Sequence, residues 1–367
     1  MDKMYVEDCC EILDSMRVPI TSSDREEGKY PYYGANGIQD YIADYIFDDE
    51  LVLLAEDGGN FGSKERPIAY RVSGKCWVNN HAHVLKPKEG LNVDYLCYSL
   101  MFYKVDGMIN GATRQKLTQS AMRKMQIPIR SIEEQKYIVD ELNRIIKIKE
   151  QREKEKKLLD QLIKARFVEM FGNPIVNEKR WAVVELNSVC DGIGDGLHGT
   201  PEYDEKGRYP FINGNNLVNG AIEITPATKM VDEATYKRYF IELSNNAILL
   251  SINGTLGKLA SYNGEEVMLG KSACYCNLKP CINRDFVYGV MKTDAFTGFL
   301  ESNSTASTIK NVGLKAIRGF MLIMPPEELQ TQFVEFAKQT TKSKVVVQKA
   351  LDEAQLLFDS LMQEYFG

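Results

Sequence analysis

Two long segments of the chain combine apolar and polar residues in the way that extended α-helices do. Residues 131–171 contain no proline or glycine, and residues 326–366 have proline only at the first position, where a helix tolerates it. Each segment of about 41 residues would form a rod of roughly 60 Å at ~1.5 Å per residue. Apolar residues at spacings of three and four would lie on one side of each rod. The pattern predicts two long helices, each needing a partner that covers its apolar stripe.

The two stripes are predicted to pair with each other, because each rod is the nearest partner of matching length. The helix-pairing residues that we predict are Ile138, Leu142, Ile145, Leu159 and Leu162 in the first helix and Val347, Leu351, Phe358, Leu361 and Tyr365 in the second. The charged and polar residues 150–157 interrupt the first stripe and are interpreted as a solvated helix face. An antiparallel pair would relate the two helices by a pseudo-twofold axis.

The remaining parts of the chain have a different pattern. Short apolar runs at residues 51–55, 82–85, 247–252 and 274–278 are bounded by Gly, Asn, Asp and Pro. Such runs are typical of short strands joined by tight turns. A helical segment is predicted at residues 95–103. We therefore expect two heads of mixed α/β structure.

The second long segment repeats the first. Residues 113–172 align with residues 308–367 without a gap, at an offset of 195 positions, and 13 of the 60 aligned positions are identical. Gln135 and Gln330 are one such identity. An ungapped alignment of this length indicates an internal duplication, which decides the whole architecture.

The upstream regions match more loosely, with insertions and deletions. Residues 30–38 (YPYYGANGI) are similar to residues 209–217 (YPFINGNNL). Residues 53–58 (LLAEDG) are similar to residues 249–254 (LLSING). The chain is thus two copies of one plan, with long helices that resemble each other more than the heads do.

The predicted fold class is α+β. Two mixed α/β domains are joined by two long antiparallel coiled-coil helices, and an internal pseudo-twofold repeat relates the halves. The predicted boundaries are 1–130 for the first head, 131–172 for the first helix, 173–325 for the second head and 326–367 for the second helix.

Composition limits the possible functions. The chain has 45 basic and 51 acidic residues, a net charge of −6 at pH 7, which argues against a surface that is positive all over. It does not exclude basic clefts, since a binding field is local. No run of eighteen apolar residues is present, so no membrane contact is predicted. The first 14 residues are acidic and lack an apolar signal core, so we expect a cytoplasmic protein with reduced cysteines.

The sequence contains no recognisable active site. Gly270, Lys271 and Ser272 follow Gly264 at the wrong spacing for a phosphate-binding loop. His81 and the nearby His83 would share one face of a strand, but structural zinc needs four closely paired ligands. A hydrogen-bonded core histidine is the expected interpretation. No catalytic residue and no metal ligand is predicted.

Several segments carry a resemblance to a known family. Four segments are concerned: residues 30–38, residues 79–85 (NNHAHVL), residues 324–330 (MPPEELQ) and residues 356–366 (LLFDSLMQEYF). Together they resemble the specificity (S) subunit of type I restriction–modification systems. Each segment is weak evidence alone, but they occur in the expected order along essentially the whole chain.

The resemblance implies a DNA-recognition protein that has no catalytic activity of its own. Each head would be a target recognition domain that reads one half of an asymmetric bipartite DNA target. The helices would set the spacing between the half-sites and dock two methylation subunits, to which restriction subunits would be added. No cofactor is expected in this chain, because S-adenosylmethionine would be bound by the methylation subunit, and ATP and magnesium by the restriction subunit.

Candidate DNA contacts follow from side-chain chemistry, since Arg and Lys bind phosphate or guanine and Asn binds adenine. They lie in polar or glycine-rich turns of the two heads. The predicted residues are Lys64, Arg66, Arg114 and Lys116 in the first head and Lys206, Arg208, Asn213, Asn215, Asn216, Lys258 and Lys310 in the second.

Two other functions remain open at this point. One is a stand-alone DNA-cleaving enzyme with an active site that the sequence does not reveal. The other is a coiled-coil adaptor that binds only proteins.

Overall fold

The described chain forms two compact units in a computed structural model, which describes residues 2–111 and 115–367. The first unit comprises the described part of Met1–Glu153 together with Gln348–Gly367, and the second unit comprises Lys154–Val347. Each unit contains one head. The division between the units falls inside both long helices, so each helix contributes one part to each unit.

The first head is built mainly of strands. Its elements are β1 (Lys3–Tyr5), α1 (Val6–Cys9), β2 (Cys10–Ile12), β3 (Glu27–Gly34), β4 (Gly37–Ile42), β5 (Phe47–Ala55), β6 (Ala69–Val78), β7 (Ala82–Pro87), α2 (Val93–Met101), β8 (Ile109–Asn110), β9 (Lys116–Leu117), α3 (Gln119–Arg123) and β10 (Gln126–Pro128). The first long helix, α4 (Ile132–Phe171), follows directly.

The main sheet of the first head has the strand order β2-β7-β5-β6-β3-β4. All neighbours are antiparallel except β3 and β6, which are parallel. Strand β5 is buried on both faces: Leu51 and Leu53 face one apolar cluster, and Val52 and Leu54 face another. This alternation follows from the two-residue period of a strand.

The second head contains additional short elements. They are β11 (Ala182–Glu185), β12 (Cys190–Asp195), β13 (Tyr209–Ile212), β14 (Leu217–Val218), β15 (Ala221–Ile222), β16 (Met230–Val231), α5 (Glu233–Arg238), β17 (Ala247–Ser251), β18 (Leu259–Ser261), β19 (Met268–Leu269), β20 (Ala273–Leu278), α6 (Arg284–Met291), α7 (Asp294–Ser302), α8 (Leu314–Arg318) and β21 (Met321–Met324). The second long helix, α9 (Glu327–Phe366), completes the described chain.

Both heads follow one topology. The second head has the strand orders β12-β20-β17-β18 and β16-β13-β19, so β18 and β19 together take the place that the continuous β6 has in the first head. The parallel pairing of β13 with β19 corresponds to that of β3 with β6. The edge pairs β1–β10 and β11–β21 also correspond. The internal repeat predicted from the sequence is therefore confirmed.

The long helices run antiparallel within each unit. In the first unit, the amine of Lys149 donates to the side chain of Gln355. In the second unit, Lys344 donates to Asp160 at 2.6 Å. Lys149 and Lys344 are equivalent in the repeat, as are Asp160 and Gln355. The same pair of positions therefore makes a contact once in each unit, with the two helices exchanged, as expected for an internal duplication.

Most of the predicted helix-pairing residues lie in packed positions. Buried or partly buried in the described structure are Ile138, Leu142, Ile145, Leu159, Val347, Leu351, Phe358, Leu361 and Tyr365. Leu162 is different, because it is 47% exposed. The apolar stripe of this part of α4 passes through Ile163, Phe167 and Phe171, which pack in the core of the second unit. One position along a helix is a turn of about 100°, which places Leu162 outside the stripe.

A buried glutamine ties each long helix to its own head. The Gln135 side chain donates to the carbonyls of Arg130 and Gly90, both at 3.0 Å, and accepts from the backbone N–H of Asn92 at 2.8 Å. Its repeat equivalent, Gln330, donates to the Pro325 carbonyl at 2.8 Å. Both glutamines thus bond to the carbonyl five residues earlier. This shared function explains why the duplication retains glutamine at a buried position, where an unpaired amide would be costly.

Within the described residues, no helix is both long enough and apolar enough to cross a membrane.

The packing of Phe358 provides a test of the helix pairing. Phe358 is 5% exposed and packs with Ile138, Leu142 and Ile145, whereas its neighbour Leu357 is 52% exposed. We expect Phe358→Ala to lower the free energy of unfolding of the first unit by about 3–5 kcal/mol, measured by denaturant titration and by hydrogen exchange in residues 138–145. Leu357→Ala should cost less than about 1 kcal/mol. Equal losses for the two variants would contradict the pairing.

Candidate nucleic-acid interface

Two loops of the first head meet at an open cleft of about 540 Å³. One is the hairpin turn between β3 and β4, and the other is the glycine-rich loop that follows β5. The cleft is lined by Tyr33, Asn36, Gly37, Ile38, Asn60, Arg66, Pro67 and Tyr70. Two segments singled out in the sequence, residues 30–38 and the loop containing Lys64 and Arg66, therefore form one surface.

The backbone of both loops depends on glycine. Gly37 closes the two-residue turn from β3 to β4 with a φ of 108°, and Gly58 begins the second loop with a φ of 63°. These positive angles are in a region that other residues rarely adopt. The hydroxyl of Tyr70 donates to the Gly34 carbonyl and ties β6 to the end of β3.

A chain of amides joins the two loops across the cleft. Asn36 Nδ2 donates to the Gly58 carbonyl at 2.9 Å. Asn60 Nδ2 donates to Asn36 Oδ1 at 3.1 Å. The side chains of Asn36 and Asn60 are therefore held in fixed positions beside Arg66.

Arg66 lines the cleft beside these amides, and Lys64 lies two residues earlier in the same loop; both side chains are exposed. Among residues 2–111 and 115–367, neither has a carboxylate within ion-pair distance. The Ser63 hydroxyl accepts from the backbone N–H of Arg66 at 2.9 Å, which holds the turn. Cations without a carboxylate partner are well suited to bind phosphate, because no internal ion pair has to be broken first.

Lys116 has a different environment, because its charge is engaged in a network. Its Nζ lies 2.9 Å from Glu56 Oε1, and Arg17 donates to the other oxygen of Glu56 at 2.6 Å. Burial would by itself raise the pKa of Glu56, but the bonds from Lys116 and Arg17 outweigh it and hold that pKa below its usual value. Lys116 remains 48% exposed, so its methylene stem and ammonium still border solvent.

The same network includes the buried His83. Its Nδ1 lies 2.7 Å from Asp14 Oδ2, and its Nε2 lies 2.9 Å from the Leu117 carbonyl. A carbonyl only accepts, so Nε2 must carry a proton. Asp14 also accepts from Gln119 at 2.9 Å and from the Val84 N–H at 2.9 Å. His83 is thus a hydrogen-bonded core histidine.

Asp14, Glu56 and His83 lie close enough together to suggest a metal site. Their ligand atoms, however, are already engaged by Arg17, Lys116 and the Leu117 carbonyl. A metal ion would need a deprotonated histidine nitrogen and would have to displace two cations. The donor set does not fit a metal ion and is a structural ion network.

The second head uses its predicted asparagines in two ways. The Asn213 N–H donates to Asn216 Oδ1 at 3.0 Å, and Asn213 Oδ1 accepts from Ser272 at 3.0 Å. Asn216 also donates to the Glu223 carbonyl at 3.1 Å. These two amides build the turn after β13. Asn215 between them is exposed.

The cations of the second head also differ in their pairing. Arg208 lies 2.5 Å from Glu266, and Lys310 lies 4.0 Å from Glu301. Lys206 is exposed and Lys258 is half-buried, and neither is within ion-pair distance of a carboxylate in the described part of the chain.

A sequence profile of the Type I restriction modification DNA specificity domain matches residues 1–159 and 178–354. The chain belongs to this family. A Haemophilus influenzae (strain KW20 / Rd) protein assigned as a type I restriction enzyme specificity subunit is 30% identical over 271 residues, which span 71% of this chain and 67% of that protein. The EcoprrI specificity subunit of Escherichia coli is 26% identical over 109 residues, or 30% of this chain and 26% of that subunit.

Solved structures share the fold. The S subunit of the type I restriction–modification system from M. genitalium has a TM-score of 0.53 at 14% identity, covering 100% of this chain and 96% of that one. A chain from structural work on assembly and conformational transition of the type I R-M system has a TM-score of 0.59 at 15% identity, with the same coverage.

The resemblance found in the sequence is thus confirmed, and the chain is a DNA specificity subunit of the type I restriction–modification class. The two alternatives, a stand-alone DNA-cleaving enzyme and a protein-only adaptor, find no support in these similarities. The individual DNA contacts stay predictions, and Arg114 lies outside the described residues.

Asn36 and Asn60 were not among the DNA contacts predicted from the sequence. Asn36 occupies the repeat position of Asn215, which was among the predicted contacts, so the internal alignment could have identified it. Asn60 had no such signal, because its partnership with Asn36 depends on two loops meeting in the fold.

The buried carboxylate of Asp14 gives a pH-dependent test of the network. Burial alone would raise its pKa, but the hydrogen bonds from His83, Gln119 and Val84 hold it below the usual value of 3.8. The ionised carboxylate therefore contributes stability above that pH, and the contribution is lost as pH falls through the lowered pKa. We expect Asp14→Asn to destabilise the first unit by about 2–4 kcal/mol at pH 7, with the difference from wild type shrinking below about pH 4.

Urea titration from pH 7 to pH 2 measures this difference, with the exposed Asp106→Asn as the control. A difference that stays constant across the whole range would show that the charge of Asp14 does not act in this way.

Proposed function

We propose that the two heads read different half-sites of one bipartite DNA target, while the long helices hold the readers apart and dock two methylation subunits. The observation that carries this proposal is one topology used twice with different surface chemistry. The backbone β-bridge between Asp57 and Lys116 in the first head corresponds to the backbone β-bridge between Asn253 and Asn311 in the second. The backbones thus agree, while the side chain at the Lys116 position differs in charge between the heads.

Local charge supports DNA binding by an acidic chain. In the first head, Arg66 lines the cleft, Lys64 lies in the same loop, and neither has a carboxylate partner among the described residues. Lys206 and Lys258 of the second head also lack a carboxylate within ion-pair distance in the described part of the chain. A few such cations set the register on a duplex, because phosphate contacts position a protein and base contacts specify the sequence. The overall charge of −6 does not prevent this, since the field in a cleft is local.

The surfaces of the helices support docking of other proteins. Val345 and Val346 are 65% and 69% exposed, and Leu356 is 69% exposed. Apolar side chains of this size on an exposed helix face favour a protein partner. Methylation subunits that carry S-adenosylmethionine fit this role in a restriction–modification complex, and restriction subunits using ATP and magnesium would join them.

The chain itself is proposed to be non-catalytic. Its buried acid–histidine cluster is neutralised by Arg17 and Lys116, which fits structural support of the cleft loops better than chemistry on DNA. The cofactors of the complex would accordingly be bound by its other subunits.

Lys64 and Arg66, the two cations of the loop that follows β5, provide the main test of DNA binding. In the complex with methylation subunits, Lys64→Gln with Arg66→Gln should weaken binding to all sequences and lower the slope of log affinity against log salt by up to about 2. Titration of labelled duplex at several salt concentrations measures this slope. Lys104→Gln with Lys124→Gln removes the same charge from exposed positions outside the cleft and should have a smaller effect. An unchanged slope in the first variant would refute the assignment.

The absence of catalysis is tested on the purified chain. Incubation with duplex DNA and magnesium, and separately with S-adenosylmethionine, should give neither cleavage nor methyl transfer. Adding the methylation subunit should restore methyl transfer. This part of the proposal would be overturned if the purified chain alone cleaved or methylated DNA, and if a substitution in the chain abolished that activity.

A further inference from the structure

We propose that Asn60, oriented by Asn36, reads an adenine in the half-site bound by the first head. This inference rests on the proposed function and assigns the base that one residue of the cleft recognises. It depends on which hydrogen-bonding groups the amide chain uses and which it leaves available.

The orientation of both amides follows from the hydrogen-bond chain. The Gly58 carbonyl can only accept, so Asn36 must present its NH₂ group to it, at 2.9 Å. The oxygen of Asn36 then faces Asn60 and can also only accept, so Asn60 presents its own NH₂ group, at 3.1 Å. The backbone carbonyl thereby fixes amide orientations that would otherwise be free to flip.

The remaining groups of Asn60 match one base. Among the described residues, its side chain forms a hydrogen bond only to Asn36, which leaves Oδ1 as an acceptor and one N–H as a donor. Adenine presents an acceptor, N7, beside a donor, the N6 amino group, in the major groove. Guanine presents two acceptors there, cytosine a donor, and thymine an acceptor with a methyl group. A paired donor and acceptor therefore favours adenine.

The surroundings of Asn60 suit a base pair. Tyr33 and Tyr70 form one wall of the cleft, with ring centroids 5.8 Å apart, and the bond from Tyr70 to Gly34 fixes that wall. Ile38 is 48% exposed at the same cleft and can contact the methyl group of the paired thymine. Arg66 is available to the adjacent phosphate.

The second head does not contain this pair of amides. The repeat position of Asn36 is Asn215, which is exposed, but the residue two positions after Gly254 is Leu256, which packs against the core. The effect of Asn60 should therefore be confined to one half-site. This confinement separates base reading from a general loss of binding.

The experiment selects bound duplexes from a random DNA library with the complex of the full chain and its methylation subunits. With wild type, one position of one half-site should be adenine. Asn60→Ala should lower the preference for adenine at that position by roughly 5- to 150-fold, the range expected for one bidentate contact, and leave the other half-site unchanged. Asn36→Ala should weaken the same position less, because Asn36 only orients the reader. Asn80→Ala, at an exposed site outside the cleft, is the matched control.

A second measurement keeps the inference testable if a variant folds poorly. Replacing that adenine by 7-deazaadenine removes N7 and should weaken binding of wild type, while Asn60→Leu, which has no side-chain hydrogen-bonding group, should be insensitive to the same replacement. A coupling between residue and base atom is what such a double-mutant cycle detects. Equal sensitivity of both proteins would overturn the assignment.

The outcomes distinguish this inference from the proposed function. In one outcome, the wild-type complex selects a bipartite sequence while Asn60→Ala leaves the preference at every position unchanged, or weakens binding to all sequences equally. Either result would refute base reading by Asn60 and would leave the proposed function standing. A wild-type complex that selects no sequence would refute the proposed function and this inference with it.

Discussion

The structure depends on burial of the apolar stripes of its two 40-residue helices. Each buried Leu, Ile or Phe is worth about 1.5–3 kcal/mol relative to exposure in water, so a rod left alone would be unstable. In the first unit the cover comes from Gln348–Gly367, the end of the chain described here, and Phe358 packs there against Ile138 and Leu142. The core of the first unit is therefore completed by a segment some 200 residues away in sequence, at a loop-closure cost that grows only slowly with length.

This constraint explains why the two halves have diverged unevenly. Positions that pair the helices or tie a helix to its head appear twice, as Lys149 with Lys344 and Gln135 with Gln330 do. Loop positions are free of that requirement. The first head has an ion network around Glu56 and an amide chain through Asn60, and the aligned positions of the second head carry Ile252 and Leu256. The long helices thus keep equivalent residues in both halves, whereas the loops of the two heads carry different side chains.

The frame could be predicted from the sequence because its signals are periodic. Long runs free of proline and glycine, the 3–4 spacing of apolar residues and the ungapped repeat led to antiparallel helices and duplicated heads. Leu162 was misplaced because the charged segment before it interrupts the stripe and hides its phase, which Ile163 and Phe167 reveal. The cleft was harder to predict from the sequence. Asn213 and Asn216 have the composition of base readers but serve as turn formers, and the pairing of Asn36 with Asn60 arises only when two loops meet.

Mapping the modified bases in DNA from cells that make this chain together with its methylation subunits tests the account most directly. Two unlike readers on one duplicated frame predict two short, different sequences separated by a constant number of unread bases. A contiguous motif, or a motif whose two halves are identical, would contradict the account.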